Sequence, residues 1–165
     1  MERAALDSLS APGLVLADLR WLALGDLGSV PLCGDGDLVA AVVSRFRGRS
    51  DGTAIVALDP EDALEFVRGL APMSEPLDAF VSLGSSLARG LADGLYEGGD
   101  EDLAMGEGAL DERPLATIVL STHAPSDTAV LAAHFSVAVS EEAAVSVFAY
   151  LLVDAKLDAV SASTR

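Results

Sequence analysis

The stretch SEPLDAFVSLGSSLARGLADGL, Ser74 to Leu95, decides the fold, because it predicts one long amphipathic helix. Core-type residues recur along it at the three- and four-residue spacing of a helix face. They are Leu77, Phe80, Val81, Gly84, Leu87, Ala88, Leu91 and Leu95. The opposite face is small or hydrophilic and comprises Ala79, Ser82, Ser86, Arg89 and Asp93. The rest of the chain must therefore supply a core on which this helix lies.

The start of this helix carries its own signals. Ser74 is a candidate N-cap, and Pro76 stands in a first turn, where proline is tolerated. Glu75 and Asp78 suit the positive end of a helix. The sequence predicts a well-specified helix with one exposed face.

Towards the N-terminus, the sequence predicts helices followed by a β-hairpin. Residues 1–12 and Leu14 to Leu27 are predicted to be helical. The pattern then changes to a period of two, which predicts strands from Leu38 to Phe46 and from Thr53 to Leu58, joined by a tight turn. Asp59-Pro60 follows and predicts the start of another helix.

Towards the C-terminus, the sequence predicts an acidic, glycine-rich loop and then strands. Residues 96–107 form this loop, with a short strand near Leu103 to Met105. Three longer strands and a short terminal helix are predicted over Leu115 to Thr122, Val130 to Val139, Ala144 to Val153 and residues 154–162. The order predicts one α+β domain over residues 1–165, with a largely antiparallel central sheet of about five to six strands covered by helices.

Composition excludes several classes of function. The 165 residues carry a net charge of −16, with nine arginines and one lysine. Such a surface repels nucleic acid and anionic lipid, and no apolar run is long enough to span a membrane. We therefore expect a cytoplasmic protein that binds neither nucleic acid nor membrane. Abundant carboxylates also suit a halophile, and the chain contains neither Asn nor Gln.

Motifs for catalysis, metals and cofactors are weak. Ser121, His123 and Asp127 could form a Ser/His/Asp site, but no Gly-x-Ser-x-Gly accompanies them. Neither a phosphate-binding loop nor a dinucleotide fingerprint is present. Cys33 is the only cysteine, and the acids at 97–102 lack the spacing of an EF-hand loop. We expect no cofactor and no metal, and a solvated acidic loop.

Three segments together resemble the CheC/CheX/FliY family of chemotaxis phosphatases. Residues Val39 to Leu70 are similar to that family's strand ending in Phe-x-Gly, its turn, its second strand and its acidic-capped helix. Ser74 to Leu95 resembles the family's catalytic helix. Pro114 to Val153 resembles its proline followed by a long antiparallel hairpin. The resemblance implies a CheC/CheX-like fold over about two thirds of the chain.

The chain departs from the family at the catalytic residues. The family uses a Glu and, three residues later, an Asn that positions the water attacking the phosphoaspartate of a receiver domain. Aligning the helices places Ala79 and Ser82 at these positions, on the face predicted to be exposed. The alternative register pairs Glu75 with Asp78, but an ionised carboxylate cannot donate a hydrogen bond as a carboxamide does. The family mechanism cannot operate unchanged in a chain without Asn.

Three hypotheses follow. The first is a signalling protein that binds a response-regulator receiver domain or a CheD-like partner without the usual phosphatase activity. Its binding face would comprise Ala79, Ser82, Ser86, Arg89 and Asp93. The second is a divergent phosphoaspartate phosphatase that uses Ser82, Asp78 and Glu75 on a CheY-like receiver. The third is a structural homodimer of unrelated function, built by pairing sheet edges or packing helices.

Overall fold

The computed structural model describes residues 14–29, 38–96 and 98–154. The helix predicted over residues 1–12 lies outside these ranges. So does the helix predicted over residues 154–162, except for Asp154 at its start.

The fold is α+β, with an antiparallel sheet of seven strands and three α-helices in the described ranges. The strands are β1 (Leu14–Ala23), β2 (Ala40–Arg47), β3 (Gly52–Leu58), β4 (Ala104–Met105), β5 (Ala109–Asp111), β6 (Ala129–Ala138) and β7 (Ala144–Val153). Their order is β1-β6-β7-β3-β2-β4, and β5 also pairs with β2. The helices are α1 (Pro60–Leu70), α2 (Pro76–Asp93) and α3 (Leu115–Ser121), and a 3-10 helix spans Leu24–Ser29.

Both faces of the sheet are covered. Helices α1 and α2 pack on one face, where Phe66 and Phe80 meet edge to face with ring centroids 6.5 Å apart. Helix α3 and the 3-10 helix cover part of the other face, through residues such as Leu115, Ile118 and Leu27. Side chains of a strand point alternately to the two faces, so central strand β3 is buried along its whole length.

Helix α2 lies directly against strand β2 because Gly84 has no side chain. A Cβ on Gly84 would stand 2.7 Å from Cγ2 of Val42, closer than such atoms approach. A Cβ on Gly108 would stand close to Ser85 Oγ and 2.9 Å from Cγ1 of Val42, so the segment before β5 passes along one side of the helix. These close approaches fix the position of α2 over the sheet.

The segment Leu14 to Leu27 corrects the sequence analysis, because it forms strand β1 and a 3-10 helix instead of an α-helix. Strand β1 pairs with β6 from Leu14↔Val137 to Ala23↔Ala129, with a bulge between Leu16 and Asp18. The bulge shifts the alternation by one residue, so Leu16 and Leu19 both face the α1–α2 side. This shift also broke the period-two signal that would have revealed a strand.

The segment Leu115 to Thr122 was predicted to be a strand, but most of it forms helix α3. Pro114 occupies the N-cap, and only Leu115 and Ile118, three residues apart, are fully buried. Strand β2 is already paired by β3 on one side and by β4 and β5 on the other. No edge of β2 is therefore open to this segment, and it packs on the sheet face as a helix through Leu115 and Ile118.

The remaining elements confirm the prediction. Strands β2 and β3 form the expected hairpin, β4 lies in the acidic loop, and β6 and β7 pair along their full length. Strand β7 has the predicted bounds, and α2 ends two residues before the predicted Leu95.

Candidate functional site

The outward face of α2 carries a stripe of exposed polar side chains. Asp78, Ser82, Ser86 and Arg89 are exposed, and Ser85 is half-buried beside Gly108. From Asp78 to Arg89 the stripe spans about 16 Å at 1.5 Å per residue. Asp78 lies in the first turn of the helix, where a negative charge suits the helix dipole. The stripe offers two hydroxyls between opposite charges.

Glu75 is the N-cap of α2, a position that the sequence analysis assigned to Ser74. The Leu77 N–H donates to Oε1 of Glu75 at 3.2 Å, and the Asp78 N–H donates to Oε2 at 2.8 Å. Both carboxylate oxygens therefore satisfy helix N–H groups that have no partner within the helix. This geometry assigns Glu75 a structural role as a helix cap.

Ala79 is buried, so the expectation that it lies on the exposed face is wrong. It is 6% exposed, whereas Leu77, predicted for the core, is 55% exposed. Ala79 belongs to the same buried cluster as Ala63 and Phe66 of α1, so packing of α1 against α2 accompanies its burial. The register that pairs Ala79 with Ser82 would place a family Glu in the core. The register that pairs Glu75 with Asp78 leaves both residues exposed.

Asp93 and the acidic loop have structural contacts. Oδ1 of Asp93 accepts the Asp100 N–H at 2.8 Å. Asp100 is buried, and its carboxylate accepts the N–H groups of Arg49 and Asp102, each at 3.0 Å. The Arg49 guanidinium in turn lies 4.2 Å from the centroid of the Tyr96 ring. These contacts fix the loop against the β2–β3 turn, and the described residues contain no cluster of His, Cys, Asp or Glu suited to a metal ion.

The histidines do not form a catalytic centre with Ser121. The Ser121 hydroxyl donates to the Ile118 carbonyl at 2.6 Å and accepts from Arg113. His123 lies in the left-handed region, with φ of 57°, directly after α3. His134 stacks on Phe148, with ring centroids 4.5 Å apart, on the sheet face opposite α2. No described contact joins Ser121 to His123.

Sequence reasoning missed an apolar groove beside the start of α2. Leu64, Leu77 and Leu110 line it and are 44%, 55% and 36% exposed. They come from α1, α2 and β5, which are distant in sequence. No local signal in the sequence marked it, because the helical periodicity had placed Leu77 in the core.

Comparison with solved structures identifies the architecture. The FliY structure of Thermotoga maritima is similar with a TM-score of 0.60 and 12% identity, over 90% of this chain and 79% of that chain. A chain of the CheX–CheY–BeF3–Mg²⁺ complex of Borrelia burgdorferi is similar with a TM-score of 0.55 and 15% identity, over 92% of this chain and 91% of that chain. This chain has the CheC/CheX/FliY-type fold. The FliM middle domain of H. pylori is also similar to this chain, with a TM-score of 0.58 and 10% identity over 90% of this chain and 80% of that chain.

Comparison of the sequence with known families and proteins gives no match. No family model matches the chain, and no curated protein matches its sequence. At identities of 10–15%, the similarity to FliY, CheX and FliM is one of fold. Among the described helices, none is long and apolar enough to cross a membrane.

Proposed function

We propose that this protein is a chemotaxis-type signalling protein that binds a receiver domain or a CheD-like partner and does not hydrolyse the receiver's phosphoaspartate. The observation that carries this proposal is a CheC/CheX/FliY-type fold whose central helix exposes a polar stripe, in a chain without Asn. One similar structure of this fold is a complex of CheX with CheY. The binding face comprises Asp78, Ser82, Ser86 and Arg89.

The chemistry of the stripe supports binding more than hydrolysis. A carboxamide offers an N–H donor and a carbonyl acceptor fixed in one plane, whereas a carboxylate accepts only. Asp78 therefore cannot replace the amide, and the oxygens of Glu75 already accept two helix N–H groups. Arg89 has no ion pair within the described part of the chain, so its guanidinium is open to an acidic partner surface.

The experiment measures binding of receiver domains from the same genome, with and without beryllofluoride and Mg²⁺, by isothermal titration calorimetry. We expect Arg89→Glu to weaken binding by about tenfold or more, because it places a like charge against an acidic surface. Arg47→Glu is the matched control: it is exposed, and strand alternation puts it on the sheet face opposite α2. Absence of binding to every receiver and to a CheD-like protein would refute the proposal.

A divergent phosphatase is the second candidate, because Ser82 lies one turn after Asp78 on the exposed stripe and its hydroxyl can both donate and accept. In this case the protein shortens the lifetime of the phosphorylated receiver. Ser82→Ala or Asp78→Ala then abolishes this effect, while Ser140→Ala, in the exposed β6–β7 turn, leaves it in place. An unchanged lifetime together with binding supports the first candidate.

A homodimer paired edge to edge along β1 is the structural alternative. Strand β1 ends the sheet in the described ranges, but its bulge and the Asp18–Arg20 ion pair are features that protect an edge from pairing. We expect light scattering to give the mass of one chain. Twice that mass would support the structural alternative.

A further inference from the structure

The apolar groove beside the start of α2 is a built cavity and not a scatter of exposed side chains. It has a volume of about 170 Å³ and lies between α1, the first turn of α2 and β5. Buried Ala40 and Phe80 line its inner part, and Leu64, Leu77 and Leu110 line its exposed part. Glu112 is the one charged residue in the lining.

The size of the groove suits a single bulky side chain. An apolar cavity of about 150 Å³ is large enough to bind benzene. The groove therefore accommodates a phenyl ring or a branched aliphatic side chain. Three partly exposed leucines on one groove also form the kind of apolar patch, bordered by polar residues, that marks an interaction site.

The charges around the groove are acidic. Glu61 lies one residue after Pro60 of the lining, and Glu112 belongs to the lining itself. Of the nearby arginines, Arg113 pairs with Asp111, and Arg68 lies 4.0 Å from Glu65, so neither contacts Glu61 or Glu112 as an ion pair in the described structure. A partner that brings positive charge meets unneutralised carboxylates here.

The start of α1 shows the same excess of negative charge. Burial, followed by repulsion from Asp59, Glu61 and Glu65, raises the pKa of the Asp62 carboxyl. Carboxylates in a first turn suit the helix dipole, but here they stand close enough to repel one another. Bound cationic groups would relieve that repulsion.

We infer that this groove binds a basic segment of a partner protein, which inserts one bulky apolar side chain between Leu64, Leu77 and Leu110. Lysine or arginine residues on either side of that anchor lie against Glu61 and Glu112. The groove adjoins the start of the polar stripe at the first turn of α2 but contains none of the stripe's residues. It gives the protein a second interaction surface, specific for cationic segments with an apolar anchor.

The test uses three labelled, acetylated heptapeptides and fluorescence anisotropy at physiological salt. The first is Lys-Lys-Ala-Phe-Ala-Lys-Lys, the second replaces Phe with Ser, and the third replaces every Lys with Glu. We expect the first peptide to bind at least about tenfold more tightly than the other two, because burying a phenylalanine side chain and pairing its flanking charges both favour it.

Substitutions in the groove test whether the Phe peptide binds there. Leu77→Ser should weaken the first peptide by about tenfold, and Met73→Ser should leave it unchanged. Met73 is the matched control, because it is 97% exposed and lies outside the lining. Glu112→Gln should also weaken binding, whereas Glu142→Gln in the exposed β6–β7 turn should not. Urea denaturation establishes that each variant folds, and Leu64→Ser replaces Leu77→Ser if that variant does not.

Four results would overturn the inference. The first is no binding of the Phe peptide. The second is equal binding of the Ser peptide, which would show only general attraction to an acidic protein. The third is equal binding of the Glu peptide. The fourth is a dimer mass that Leu77→Ser reduces to that of one chain, which would assign the groove to a second copy.

Discussion

Replacing Glu75 tests whether this residue is a helix cap or a catalytic group. In the Glu75→Ala variant, the N–H groups of Leu77 and Asp78 lose their acceptors. Loss of an N-cap costs about 1 kcal/mol, and loss of a negative charge at a helix N-terminus costs about 0.3–1 kcal/mol. Because the site is exposed and water replaces part of the lost bonding, we expect the free energy of unfolding to fall by about 1–2 kcal/mol.

Urea denaturation followed by circular dichroism measures this loss. With a denaturant slope of about 2 kcal/mol/M, the midpoint should fall by about 0.5–1 M. Glu75→Ser should lose only the charge contribution of about 0.3–1 kcal/mol, since Ser is among the best N-cap residues. Glu142→Ala removes an exposed acid from the β6–β7 turn and should not move the midpoint by more than about 0.2 M.

The same variants are then assayed for the lifetime of a phosphorylated receiver domain. The capping assignment predicts that Glu75→Ala and Glu75→Ser give the wild-type lifetime at temperatures where both are folded. An unchanged midpoint for Glu75→Ala, together with a longer receiver lifetime, would refute this reasoning. The Glu75–Asp78 register would then be the functional one.

Three further predictions concern the packing and charges around the site. Gly84→Ala should destabilise the fold by about 1 kcal/mol despite its higher helix propensity, because the new Cβ meets Val42 at 2.7 Å. A Val42→Ala background should reduce that penalty by more than about 0.5 kcal/mol in a double-mutant cycle by urea denaturation, and simple additivity would contradict it. Asp100→Ala should lower the free energy of unfolding by about 1–3 kcal/mol, since it leaves two N–H groups without an acceptor. Added Ca²⁺ should not raise the free energy of unfolding of this variant or of the wild type. By NMR titration, Asp62 should have a pKa above 3.8 that falls in Glu61→Gln. Because the folded-state pKa is raised, ionised Asp62 lowers the free energy of unfolding in full above the folded-state pKa, and this penalty shrinks as the pH falls and disappears below 3.8.

The sequence predicted the strands whose partners are close along the chain. The β2–β3 and β6–β7 pairs could be predicted because each pair consists of two apolar segments joined by a short turn. Strand β1 was predicted wrongly because its pairing depends on β6, which is distant along the chain. Helix α3 was predicted wrongly because it packs on a sheet face formed by distant strands. Local periodicity does not contain that information.

The candidate site was predicted in part. The exposed stripe on α2 follows from its helical period, but the burial of Ala79 depends on the side from which α1 approaches. Asp100 stands in a run of acidic residues that predicts a solvated loop. Its carboxylate is buried because it accepts the N–H of Arg49, which is distant in sequence. The apolar groove combines residues from three elements, so no single stretch of sequence could indicate it.

The strand order also has a consequence for how the chain is made. Among the described strands β1 is the first to leave the ribosome, yet its only partner in the described sheet is β6, more than 100 residues later. Until β6 is synthesised, the leucine-rich segment Leu14 to Ala23, which includes Trp21, has an unpaired backbone and uncovered apolar side chains. Nascent chains stalled before Ala129 should therefore bind chaperones through this segment, and the sheet should close late and slowly.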